Sequence, residues 1–214
     1  MAQKTQGAVC AVGTATAATK TITAITAANP PQVTSATHGY ANGDLVYIDG
    51  VVGMTQVNKR VFVVANQATN TFELKGVDGT AYSTYTSGGT AAKKTMTTVG
   101  ECKAFGPGLD GEAAELETTN LQSVAKEFLL GLADSGNLAF QVYIPTTADT
   151  GQSRIRALKE SGTAEAFSVT MPSGQVLALM GLVKSFGISE IGVDGVVLAS
   201  GSIRVSNAPG AFFA

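Results

Sequence analysis

Two cysteines, one histidine and one glycine-rich acidic run are the residues of this 214-residue chain whose types and spacing point to chemistry. Cys10 and Cys102 have no CxxC spacing, and with His38 as the single histidine no Cys/His metal set can be assembled. Two cysteines are also too few for a disulfide framework, so they read as free, partly buried thiols. His38, in Ala36-Thr37-His38-Gly39-Tyr40, follows a strand and precedes a turn. A histidine with no evident nucleophile makes no triad. Gly106-Pro107-Gly108-Leu109-Asp110-Gly111 spells G-x-G-x-x-G, a dinucleotide fingerprint only between a strand and a helix N-terminus. Here Pro107 removes an amide donor, and Glu112, Glu115 and Glu117 would repel phosphate. The run therefore reads as a flexible acidic loop. The same glutamates have neither a histidine nor an apolar pocket to tune them for acid–base or metal work. Arg154, Arg156 and Lys159 read as a solvated basic face. The expectation is a non-enzymatic protein without cofactor or metal.

Bulk composition narrows the classes. Charged residues are 14% of the chain, against about 25% in typical domains. No apolar run approaches a membrane span, and the N-terminus lacks the pattern of a secretory signal. A chain so poor in charge is either a subunit hidden in large self-contacts, whose cores exclude charge, or a compact monomer rich in Thr, Ser and Gly. Residues 1–95 carry net +3 and residues 96–214 net −5. The second part would repel DNA rather than hold it.

The elements that must position these residues are mostly strands, read as short apolar or β-branched runs broken by Gly, Asn, Asp and Pro. They are expected at 8–12, 19–26, 32–37, 44–49, 60–65, 71–75, 89–93, 95–105, 138–144, 164–171, 175–185 and 196–206. Ala41-Asn42-Gly43-Asp44 and Val77-Asp78-Gly79-Thr80 supply tight turns. One stretch departs from the β pattern. Leu121, Val124, Ala125, Phe128, Leu129 and Leu132 recur at helical spacing. They predict a helix capped by Thr119 or Asn120, ending near Gly131 and packed on a sheet. A weaker helix, or a long loop, is expected at 153–159. Residues 24–94 hold four of the five tyrosines and are bracketed by Ala/Thr-rich stretches, which reads as a small β-domain inserted between 1–23 and 95–214. An insertion has its ends close together. That would let the strands holding Cys10 and Cys102 become neighbours and their thiols approach.

The stretch from Phe105 to Phe140 resembles the major tail tube proteins of long, flexible-tailed bacteriophages. The resemblance rests on the Gly/acidic loop, Thr119-Asn-Leu121-Gln-Ser123-Val-Ala125-Lys-Glu-Phe128, and Gly131-Leu-Ala-Asp-Ser-Gly136. It covers residues 96–214 and, loosely, 1–20. Separately, Pro31 to Gly50, Gly53-Met54, Asn58-Lys-Arg60, Asn70-Thr-Phe72-Glu-Leu74 and Tyr85 to Gly89 resemble a small β-domain common in phage proteins. That domain is labelled after the first catalytic-cysteine half-domain of ubiquitin-activating enzymes. The stretch 24–94 contains no cysteine, and the chain shows no nucleotide-binding fold, so ubiquitin activation is not expected of it.

The first resemblance implies a mainly β fold: a tube-forming β-sandwich with one packed helix and the insert decorating the exterior. It implies a virion subunit, assembled in the host cytoplasm as stacked hexameric rings whose inner strands join into one continuous barrel. DNA would pass through the lumen without specific binding, with Glu165, Glu190 and Asp194 as candidate lumen groups. Tape measure, tail terminator and distal tail proteins are the implied partners. The loop Gly106, Pro107, Gly108, Leu109, Asp110, Glu112, Glu115 and Glu117 would contact the neighbouring ring, mobile in the monomer and ordered in the tube. Phe212 and Phe213 would dock on a neighbour, since left in water they invite aggregation. The rival reading is a host-surface-binding, adhesin-like virion protein whose insert binds a ligand.

Overall fold

The computed structural model of the chain describes residues 6–108, 113–191 and 195–211. The fold is mainly β, with one α-helix and a sheet that curls into a half-barrel. The strands up to the first long crossing are β1 (Val9–Thr16), β2 (Lys20–Thr21), β3 (Ala24–Ile25), β4 (Gln32–Thr34), β5 (Leu45–Val52), β6 (Arg60–Ala65), β7 (Thr71–Leu74) and β8 (Ser87–Thr98). Then follow β9 (Cys102–Gly108), β10 (Ala113–Glu117), β11 (Phe128–Ala133), β12 (Asn137–Tyr143), the helix α1 (Thr150–Ser161), β13 (Glu165–Thr170), β14 (Val176–Glu190) and β15 (Leu198–Ala211). The spatial order of the large sheet is β3-β4-β7-β6-β5-β8-β1-β13-β14-β15-β12-β9, with β2 on β8 and every pair antiparallel. β10 and β11 form a separate two-stranded sheet.

Three apolar clusters hold this together. One, under the half-barrel, joins Val12, Phe140, Phe167, Leu177, Leu179 and Ile203 to Ile155 and Leu158 of α1. A second, within residues 22–91, gathers Ile22, Val33, Ile48, Phe62, Phe72 and Leu74. The third bridges them: Leu45, Val61 and Val63 pack on Ala166, Ala178 and Met180. The boundary expected between 94 and 95 falls inside β8. Its first half pairs with β5 and its last residues with β1, so the sheet runs through the junction.

The helix lies where the sequence signal was weaker. Asp149 Oδ1 accepts from the Gln152 amide at 2.7 Å, which caps α1. Gly162, at φ +62°, closes it in the left-handed conformation. Gln152 Nε2 donates to the carbonyls of Gly100 and Tyr143 and so ties α1 to the β8–β9 turn and the end of β12. Gly151 sits so close to the Thr98 carbonyl that a side chain there would collide with it.

The helix expected over 121–132 is absent. Residues 118–127 are instead the tip of a β-hairpin. Asn120 and Thr119, expected to cap a helix, bind amides across the turn: Asn120 Oδ1 accepts from Gln122, and Thr119 Oγ1 from Glu127. Such side chains offer the backbone an alternative to the helical ladder. Phe128–Ala133 then pairs with Ala113–Glu117, Leu129 opposite Leu116 and Phe128 opposite Glu117. An apolar stripe makes a stable helix only when something covers it. Here nothing in the described chain does.

Candidate assembly surfaces

The hairpin of β10 and β11 carries the largest concentration of uncovered apolar side chains. Leu116, Phe128, Leu129 and Leu130 are each at least half exposed, and Leu121, Val124 and Leu132 are almost completely so. Soluble monomers seldom leave so contiguous an apolar patch in water. The expected helix face, Leu121, Val124, Ala125, Phe128 and Leu132, is thus an exposed arm rather than a buried stripe.

The acidic loop is also reassigned. Gly106, Pro107 and Gly108 belong to β9, opposite Ala139, Leu138 and Asn137 of β12. Glu115 and Glu117 are exposed on β10, and Glu117 pairs with Lys126 at 3.6 Å. A strand rather than a loop carries them because Glu115 and Glu117 lie opposite Leu130 and Phe128 in the β10–β11 ladder. Leu109, Asp110 and Glu112 lie outside the described residues, as do Phe212 and Phe213.

A second surface is the outer face of β9, β12, β15 and β14. Phe105, Phe140 and Phe186 stack beneath it in the core, so the intervening residues face outward. At the middle of the face Ala104, Gly106, Ala139, Gln141, Ser185, Ser200 and Ser202 line one shallow, uncharged groove, flanked by Arg204 and by Lys103 over the Tyr143 ring. Gly201 lets β15 lie close over the core, since a side chain there would strike the Phe140 ring and the Ser185 carbonyl. This four-stranded unit has two free edges among the described residues. β9 is the end of the sheet, and residues 182–190 of β14 pair with β15 on one side only.

Of the candidate lumen groups, Glu165 faces no solvent surface. Its Oε1 takes Lys94 Nζ at 2.7 Å and the Ala166 amide at 2.9 Å, and Arg154 approaches Oε2 at 3.3 Å. Gly13 makes the room, since a Cβ there would lie 2.7 Å from the carboxylate. Arg154 is therefore the partly exposed member of an ion triad around the buried Glu165, with its Nε also donating to the Gly13 carbonyl at 3.0 Å. That corrects its reading as a solvated residue. Glu190 is exposed near the end of β14, and Asp194 lies outside the described residues.

His38 is a buried structural residue. Its Nδ1 accepts from the Tyr40 amide at 3.0 Å, which leaves Nε2 to donate to the Thr71 carbonyl at 3.2 Å. Tyr40 and Phe72 pack around its ring. The Tyr40 hydroxyl donates to the Ala91 carbonyl at 2.8 Å. Burial, and secondarily the Asp44 charge, push that phenol up to about 12. Cys10 and Cys102 do meet: their sulfurs are 3.2 Å apart, both as free thiols. Sequence reasoning reached this approach only through the insertion argument. Among the described residues no group of three or more His, Cys, Asp or Glu side chains is placed to hold a metal ion. Among the described residues no helix is long and apolar enough to cross a membrane.

Residues 31–94 match the family described as the ubiquitin-activating enzyme E1 FCCH domain. That match spans under a third of the chain. No curated protein matches the sequence.

Proposed function

We propose that this chain is a structural subunit that polymerises with copies of itself into stacked rings, forming the tail tube of a long, flexible-tailed bacteriophage. The observation that carries this reading is the β10–β11 arm, seven apolar side chains of which stand exposed. A neighbouring subunit in the adjacent ring is the partner that would cover them. At about 25 cal/mol per Å² of apolar surface, burying such an arm contributes several kcal/mol per contact. The sequence resemblance of residues 105–140 to tail tube proteins points the same way.

Ring closure has a matching device. The free edge of β9 and the free edge of residues 182–190 lie on opposite sides of one four-stranded unit. Pairing the first edge of one subunit with the second of the next is a head-to-tail contact, the kind that generates rings. It also removes exposed edges that would otherwise template aggregation. Six such units would supply the strands of a continuous barrel, and its inner wall would be the face around the uncharged groove of Ala139, Gln141 and Ser200. The uncharged groove offers phosphates no cation, and Arg204 on the same face is neutralised by Asp134 at 2.7 Å, so DNA would slide rather than stick. Residues 24–94, packed on the other end of the sheet, would decorate the outside. The matched domain in that block supplies no cysteine and hence no thioester chemistry.

Sedimentation velocity of the purified chain tests this against the adhesin-like alternative. The tube reading expects species growing with concentration far beyond the 21.7 kDa monomer. A discrete oligomer that binds host cells would favour the adhesin.

A further inference from the structure

Cys10 lies on β1 and Cys102 on β9, strands separated in the sheet by β13, β14, β15 and β12. The curl of the half-barrel brings these two strands face to face across the core, and the sulfurs come within 3.2 Å although 92 residues separate them in sequence. A disulfide needs roughly 2.05 Å, so a shift of about 1 Å joins them. A small cavity of about 10 Å³, lined by both cysteines with Phe105, Phe140 and Phe167, leaves slack beside the sulfurs for that shift. Cys10 is buried, while Cys102 is half-exposed at the first residue of the edge strand. One sulfur is thus reachable by a small oxidant and the other is placed to resolve it.

We infer that Cys10 and Cys102 form an oxidation site, at which peroxide converts a dithiol assembled in the reduced state into a disulfide that staples β9 to β1. The thiolate of Cys102 attacks one oxygen of hydrogen peroxide. The O–O bond breaks, water leaves after taking up a proton, and Cys102 becomes a sulfenic acid. Cys10 sulfur then attacks the Cys102 sulfur, its proton passing to the departing hydroxide. Overall two thiols and one peroxide give one disulfide and two waters. The hydrogen bond between the thiols sets the order. Its partner and its burial hold the Cys10 proton on, whereas the bond from Cys10 lowers Cys102. The chemistry needs one chain only and does not depend on how copies assemble. Its mechanical effect is to fix the free-edge strand β9 and to close a loop containing the whole of residues 24–94.

The test is titration of the reduced full-length chain with hydrogen peroxide, read by intact mass, non-reducing peptide mapping and thermal melting. The expected result is loss of two hydrogens, a peptide pair joined through Cys10 and Cys102, and a melting temperature higher by roughly 10 °C. Dithiothreitol should reverse all three. Cys102→Ser should give neither cross-link nor rise, and Cys10→Ser should leave Cys102 trapped by dimedone as a sulfenic acid. A cross-link between two chains, over-oxidation of Cys102 without a cross-link, or an intramolecular bond that leaves melting unchanged would overturn the inference. The wild-type mass and peptide map decide this even if a variant folds poorly.

Discussion

Lys94 reaches Glu165 at 2.7 Å across the line where β8 leaves the tyrosine-rich block and approaches β13, and both side chains are 9% exposed. A buried carboxylate with two cationic partners is a rigid joint between residues 24–94 and the half-barrel. Thr16 Oγ1 accepts from the same lysine at 2.8 Å, and the Tyr47 ring lies beneath it. Because burial strips water from these charges, the joint stabilises only while its members are present together.

Lys94→Met leaves Glu165 with only the more exposed Arg154 as an ionic partner. The expected loss is about 3 kcal/mol, a melting temperature lower by roughly 10 °C for a chain of this size. Lys94→Met combined with Glu165→Leu should recover most of it, since a well-packed apolar pair is nearly neutral relative to a buried ion pair. Denaturant unfolding of the single and double variants checks the coupling; additive losses would show that the two residues act independently.

The helix is held by its cap. Asp149→Ala removes the acceptor for the Gln152 amide and should cost about 1 kcal/mol. Gly151→Ala should cost more, because the added methyl presses on the Thr98 carbonyl. Thermal melting that ranks the two in the opposite order would contradict the packing described for α1.

Alkaline pH should loosen the block around Tyr40. The phenol is raised to about 12 in the folded chain, against about 10 when unfolded. The raised value means that the native state keeps its proton longer than the unfolded state does. Its contribution is complete below pH 10 and is lost as pH rises from 10 through 12. Melting followed over that window should fall for the wild type and fall less for Tyr40→Phe, which has no proton to lose.

Leu129→Asp with Leu132→Asp should leave folding almost untouched, because both side chains are already in water. The same pair should abolish the large species seen by sedimentation. An unchanged sedimentation profile would show that the arm is not an assembly contact.

The strand pattern was legible because alternation and turn residues act locally. Arg60–Ala65 appears where expected, and Ala41–Asp44 forms its turn through the Ala41 amide and Asp44 carboxylate. The arm was misread for a physical reason. Leu121, Val124, Phe128 and Leu132 satisfy helical spacing, but spacing states only which residues share a face, not whether anything covers them. The pairing of Leu116 with Leu129 is nonlocal, and Asn120 and Thr119 serve a hairpin tip as readily as a helix cap. The joint at Glu165 was invisible for a related reason: Gly13, Lys94, Arg154 and Glu165 come from four separate stretches of chain that only the curled sheet brings together.

Negative-stain electron microscopy of the purified wild-type chain at high concentration tests the central claim most directly. The account predicts long hollow filaments of uniform diameter built from stacked rings, with stain entering a central lumen. Monodisperse particles without a lumen, unchanged as concentration rises, would contradict it.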